Sequence, residues 1–312
     1  MLRHITLAAV LALAAVPASA TPYVALFTFG DSLVDSGNIH TAALAAGFTD
    51  PTPAALGYYQ GRFSNGYNAA DYLSLALLGH VTQGVLLGGT DFAFGGARAT
   101  TNADFVPDLA AQAGLFAQAT GGHADPGALY FINAGGNDGR AQVFGAADAP
   151  TAAQVGASIA AEVETLSALG ARHFLVDNVF NLGNIPEIRA AGLSASATSD
   201  SKAINMAIAV ALRGIALPAG SDLHLFNSYA LGERLHADPA AFGFPGLNET
   251  TPCILAGATP ACTGYQYFDV VHPTDAIYQR FGRALAETVP EPTAFALFGL
   301  GLLGVAIRRY RA

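Results

Sequence analysis

The chain has 312 residues, 52% of them hydrophobic and 12% charged, with a formal net charge of −9 at pH 7. Lys202 is its only lysine, so the surface has no footprint for a phosphate backbone, which excludes nucleic acid as a partner and argues against electrostatic adhesion to anionic lipid. Once the two ends are set aside, about 265 residues remain, enough for one sizeable α/β domain with a well-buried core.

Taken in chain order, residues 1–20 carry Arg3 and His4, an apolar run, then Ala18-Ser19-Ala20. This pattern predicts a secretory signal peptide removed before Thr21. Residues 23–29 read as a buried strand and end at Gly30-Asp31-Ser32-Leu33, where an open α/β sheet places its binding crevice. Further strands are predicted at residues 91–94, 128–133, 172–179 and 222–226. Helical patterns fill the gaps at residues 67–78, 106–119, 152–169, 195–215 and 274–288. The alternation predicts an α/β fold: a parallel sheet of about five strands with helices on both faces, in three αβα layers. Residues 41–59 and 237–264 read as loop-like insertions able to form a lid or pocket rim. There is no internal repeat and no interdomain linker.

A serine at a strand end has an exposed hydroxyl and a backbone N–H near a helix N-terminus, which suits a nucleophile. Gly-Asp-Ser alone is ordinary turn chemistry, so Ser32 needs a base, and the base needs a group that fixes its tautomer. Of eight histidines, only His272 has a well-placed aspartate, in Asp269-Val270-Val271-His272-Pro273. An Asp three residues before a His can curl back onto its Nδ1–H in a tight turn, and Pro273 would stiffen that turn. His236 has Glu233 at the same spacing, but Glu-Arg-Leu-His reads as a solvated helix face.

With these residues placed, the chain resembles the GDSL esterases and lipases of the SGNH hydrolase superfamily. The resemblance spans residues 23–286 and rests on separated blocks in order. The nucleophile block is Phe29 to Asn38, followed by the Gly61-Arg62-Phe63-Ser64-Asn65-Gly66 turn. The glycine block is Asp91-Phe92-Ala93-Phe94-Gly95-Gly96-Ala97, with Asp91 where relatives often carry Asn. Gly135-Gly136-Asn137-Asp138 and Asp269 to His272 complete the set. The resemblance implies the SGNH hydrolase fold with a flavodoxin-like sheet, and a loop at residues 182–186 bordering an acyl pocket. It implies Ser32, Asp269 and His272 as catalytic residues and no cofactor or metal. Oxyanion donors would be the N–H groups of Ser32 and Gly96, with Gly95 as the alternative, and the Asn137 side chain. Such donors each lower an acyl-transfer barrier by about 3–4 kcal/mol. Asp31, Asp35 and Asn38 would shape the nucleophile turn through local hydrogen bonds.

Residues 289–312 hold Pro290-Glu291-Pro292, an apolar stretch from residue 293 to 307, and Arg308-Arg309-Tyr310-Arg311. This tail resembles the PEP-CTERM sorting signal of Gram-negative bacteria, read and cleaved by an exosortase. The domains are therefore a signal peptide at 1–20, a hydrolase at 21–288 and a sorting signal at 289–312. The expected location is the cell surface or exterior, after transient anchoring in the inner membrane. Signal peptidase and exosortase would act during export. Cys253 and Cys262 lie in a Pro/Gly/Thr-rich loop before Asp269, and in an exported chain such a pair predicts a disulfide. The expected function is hydrolysis of a carboxylic ester (lipid, short-chain ester or acetylated polysaccharide) through an acyl-enzyme. The alternative is a non-catalytic matrix or adhesion protein on a hydrolase-like fold. An intact Ser32, Asn137, Asp269 and His272 set argues against it, because a binding module has no use for all four.

Overall fold

The computed structural model describes residues 23–289. The expected signal peptide and sorting tail lie outside those residues, apart from Val289. In chain order the elements are β1 (Leu26–Gly30), α1 (Asn38–Ala45), α2 (Ala69–Leu78), α3 (Leu109–Ala119), β2 (Leu129–Asn133), α4 (Gly136–Val143) and α5 (Ala152–Leu169). Then follow β3 (His173–Asp177), α6 (Pro186–Ala190), α7 (Ser194–Gly214), β4 (Asp222–Phe226), α8 (Ser228–Ala237) and α9 (Asp275–Thr288). The four strands pair in parallel in the order β1-β2-β3-β4.

Alternate side chains of a strand point to opposite faces, and here both faces are buried. Tyr130, Ile132, Phe174 and Val176 enter one apolar cluster with Phe116 of α3, Val163 of α5 and Ile204 of α7. Leu129, Phe131 and Leu175 enter a second, with Leu73 of α2, Leu231 of α8 and Leu285 of α9. That division makes the three layers; the interiors of β2 and β3 are continuous apolar runs, while β1 carries the buried Thr28 and the edge strand β4 is less buried and carries His224.

The sheet among the described residues has four strands rather than about five. Residues 91–94 run beside β1, with Phe92 N–H donating to Thr28 O at 2.7 Å and Phe94 N–H to Gly30 O at 3.1 Å. They form only isolated bridges, however. On their outer edge the Asn38 amide takes the carbonyls of Asp91 and Ala93, at 2.8 and 2.9 Å, and so replaces a strand ladder with side-chain bonds. The segment still closes this edge of the sheet and carries the glycine block to the ends of β1 and β2. The 41–59 insertion is partly helical, because α1 runs to Ala45.

Candidate active site

Ser32 sits in a turn directly after β1. Gly30, at φ 144°, makes this exit from the strand: a Cβ there would lie 1.9 Å from Asn133 O, so only glycine fits between β1 and β2. The Gln112 amide clamps the same residue, accepting from Gly30 N–H and donating to Gly30 O, both at 2.8 Å. The turn closes through Val34 N–H and Asp35 N–H on Asp31 O and Leu33 N–H on Asp31 Oδ1 at 3.0 Å.

His272 Nε2 lies 2.7 Å from Ser32 Oγ, across 240 residues of sequence. Its Nδ1 lies 2.9 and 2.8 Å from the two Asp269 oxygens. An ionised carboxylate only accepts, so the proton sits on Nδ1 and Nε2 is left to accept the serine proton. Ser32, Asp269 and His272 are each 8% exposed, which leaves them reachable yet mostly shielded from water. Burial pushes the Asp269 carboxyl upward. The His272 imidazole and the N–H groups of His272 and Val271 outweigh that push and hold the group below its ordinary range.

Other histidines also meet carboxylates: His40 with Asp50 and His173 with Asp222, each at 2.8 Å. His236 pairs with Glu249 and not with Glu233, whose Oε1 accepts from Asn181 and Asn184. Among the described residues, only His272 carries a serine hydroxyl on its second ring nitrogen.

Of the expected oxyanion donors, Asn137 lines the same depression as Ser32. The Asn137 amide donates to Ala97 O at 2.9 Å and accepts from Arg140 Nη1 at 3.1 Å. One N–H of that amide is thus held and the other is left over. Ser32, Asn137 and Arg140 line the same depression. Between the two glycines, Gly95 donates its N–H to Asp35 Oδ2 at 2.8 Å. The N–H groups of Gly96 and Ser32 have no acceptor among the described residues. Gly96 is exposed at φ +92°, with nothing nearer to a Cβ than Val106 Cγ2 at 3.7 Å; the backbone stands open there.

Asp35 makes the expected local turn bonds and adds a long-range one, while Asn38 reaches residues 86, 91 and 93. Asp35 accepts from Gly37, Asn38, Ile39 and Gly95 N–H, tying the nucleophile loop to the glycine loop. Asp91 accepts from Ser36 N–H at 2.7 Å and Ala93 N–H at 2.9 Å, so its carboxylate joins the same two loops, away from the reacting groups. Asp31, beside the nucleophile, is pushed by burial to about 7, against the pull of Leu33 N–H and the His272 charge.

Three residues have roles that motif reading did not reveal. Tyr58, inside the 41–59 insertion, donates to Asp269 Oδ2 at 2.9 Å from 211 residues away. Phe63 lays its ring 4.8 Å from the His272 ring. Arg140 orients Asn137 while Glu187 grips its guanidinium at 2.5 and 3.1 Å. Phe63 lies in the Gly61–Gly66 turn block and Arg140 three residues after Asn137 on what proves to be α4, whereas nothing in the sequence singled out Tyr58.

Cys253 and Cys262 form the expected disulfide, with Cα atoms 5.4 Å apart. Cys253 N–H and Ile254 N–H donate to Tyr267 O and Phe268 O, both at 2.9 Å, and Phe268 N–H donates to His272 O at 2.8 Å. The crosslinked loop is therefore stitched to the turn that carries Asp269 and His272.

The family profile described as GDSL-like Lipase/Acylhydrolase matches residues 26–285. The chain belongs to this family. A second profile, the PEP-CTERM protein-sorting motif, matches residues 288–311. A curated relative, an "Uncharacterized protein in trpE-trpG intergenic region" of Pseudomonas putida, is 26% identical over 295 residues and 83% of this chain. The chain spans about half that relative's length, 47%. Among solved structures, a carbohydrate acetylesterase family member from Sinorhizobium meliloti aligns at 16% identity with a TM-score of 0.45. That alignment covers 84% of this chain and 95% of the other.

Proposed function

We propose that the chain hydrolyses carboxylic esters in two steps through an acyl-enzyme on Ser32. Family membership supports the reaction class, and the observation that carries the mechanism is the Asp269–His272–Ser32 relay, with contacts of 2.8 and 2.7 Å. His272 Nε2 takes the Ser32 proton as Oγ attacks the ester carbonyl. The N–H groups of Ser32 and Gly96 and the spare Asn137 N–H receive the oxyanion. His272 then returns the proton to the departing alcohol. Water, activated by the same nitrogen, releases the acid and regenerates Ser32. Asp269 keeps the proton on Nδ1 and stabilises the transient imidazolium.

The C-terminal sorting motif supports an exported enzyme. In this reading signal peptidase removes residues 1–20, and an exosortase acts on the tail after transient anchoring in the inner membrane. A fluorophosphonate probe should label the wild-type chain on Ser32 and leave Ser32→Ala unlabelled, with loss of p-nitrophenyl ester hydrolysis. Labelling that survives the substitution defeats the assignment.

A further inference from the structure

The depression at Ser32 is bordered by separate parts of the chain, among them Asn137 and Arg140 of α4 and Val271 of the catalytic turn. One residue of α6 ties these parts together. Glu187 is the second residue of that short helix, behind Pro186, so its N–H has no partner inside the helix. It donates instead to Val270 O at 3.0 Å, between Asp269 and His272. The Glu187 carboxylate takes the Arg140 guanidinium as a fork, Nε to Oε1 at 2.5 Å and Nη2 to Oε2 at 3.1 Å. A bidentate pair of this kind fixes orientation as well as adding energy. The remaining nitrogen, Arg140 Nη1, donates to Asn137 Oδ1 at 3.1 Å.

An asparagine amide has a donor end and an acceptor end of nearly equal size, and a half-turn exchanges them. Two neighbours forbid that half-turn here. Ala97 O can only accept, and it takes Asn137 Nδ2 at 2.9 Å; the guanidinium can only donate. A turned amide would set oxygen against carbonyl and N–H against cation. Ala97 directly follows Gly96, so the same amide also ties α4 to the glycine loop. Hydrogen bonds thus run unbroken from that loop through Asn137, Arg140 and Glu187 to the catalytic turn.

We propose that Glu187 and Arg140 are positioning residues for the oxyanion donor. Glu187 locks the guanidinium, the guanidinium locks the sense of the Asn137 amide, and the donor is thereby anchored to the turn that carries Asp269 and His272. The inference rests on the ester-hydrolase reading above. Neither residue needs to touch the substrate, and Glu187 neutralises the charge that Arg140 would otherwise bring to the site.

Initial rates with p-nitrophenyl butyrate test it. Arg140→Met should lower kcat about tenfold at unchanged KM, the worth of one hydrogen bond to a charged group. Glu187→Ala should lower kcat too, although it frees a cation beside the developing oxyanion. A rise in kcat would make Arg140 a direct electrostatic catalyst and overturn the proposal. In an Asn137→Ala background neither change should cost anything further, since residues that act through one another are not additive. Additive losses there, or a raised KM at constant kcat, also overturn it. Circular dichroism melts check folding, and Arg140→Lys, with the same pattern in smaller measure, replaces Arg140→Met if that variant does not fold. Hydrogen exchange of the Asn137 side-chain amide, followed by NMR, reads the amide without turnover. The proton held by Ala97 O should exchange about tenfold faster in the Arg140 variant. Unchanged exchange would overturn the pair even with hydrolysis intact. Should the wild type hydrolyse no ester, the ester reading fails, and faster exchange would still uphold the pair.

Discussion

Replacing Cys262 with serine separates what the crosslink does for stability from what it does for the catalytic turn. Closing a ten-residue loop restrains the unfolded chain by roughly 2–3 kcal/mol. In a domain of this size each kcal/mol moves Tm by about 2–4 °C, so the variant should melt about 5–10 °C lower. The structure adds a kinetic consequence. The loop reaches the catalytic turn through the bonds of Cys253 and Ile254 to Tyr267 and Phe268. Tyr58, a donor to Asp269, packs edge-on against Phe268 with ring centroids 4.8 Å apart. A loosened loop therefore lets Asp269 and His272 drift, and small misplacements of reacting groups are costly. Non-reducing peptide mapping should first recover a Cys253–Cys262 peptide with no free thiol. Initial rates and circular dichroism melts are then taken in parallel on the wild type, the reduced wild type and Cys262→Ser. Activity of the crosslink-free forms should fall well below their unfolding transitions. Activity that declines only in step with unfolding would refute the coupling. Free alkylation of both thiols in the natively exported protein would refute the bond itself.

Asn137→Ala should lower kcat about a hundredfold with KM nearly constant, since an oxyanion donor acts in the transition state; a raised KM at constant kcat would instead make Asn137 a substrate-binding residue. Tyr58→Phe removes one donor from the buried Asp269 carboxylate, a charged hydrogen bond worth at least about 1.5 kcal/mol, so kcat/KM should drop about tenfold; an unchanged value removes Tyr58 from the relay. Burial raises Asp31 and Asp177 to about 7, so the folded chain keeps protons that the unfolded chain releases near a pKa of about 3.9. Their stabilising contribution is full below that value and is lost as pH climbs through about 7. Urea midpoints should fall from pH 5 to pH 8, and Asp177→Asn should flatten the slope; midpoints that rise over that range contradict the burial argument. Asp269, held low, works in the opposite sense, with stability present above the unfolded carboxylate value and lost in acid.

Much of this site was legible before any coordinates, because its chemistry demands particular residues in short local patterns. A serine at a strand end and an Asp three residues before a His are such patterns, and the structure places both in one relay. Short runs rich in apolar residues marked all four strands, since strands packed between two helical layers bury most of their side chains. The helix α4 was not legible: Gly-Asn-Asp-Gly-Arg-Ala-Gln-Val has no apolar period. It is held instead by the positive φ of Gly135 and by Asp138 accepting from Ala99 and Thr100 N–H.

The sequence by itself determined the alternation of strands and helices, the Ser32, His272 and Asp269 candidates, and the cysteine pair, all of which follow from residue type and short spacing. Only the tertiary structure decided that Gly95 gives its N–H to Asp35 while Gly96 stays free, and that residues 91–94 become an irregular edge rather than a fifth strand. It alone brought Tyr58 to Asp269. Each of those outcomes depends on which hydrogen-bond partners arrive from tens to hundreds of residues away, and local pattern carries no record of them.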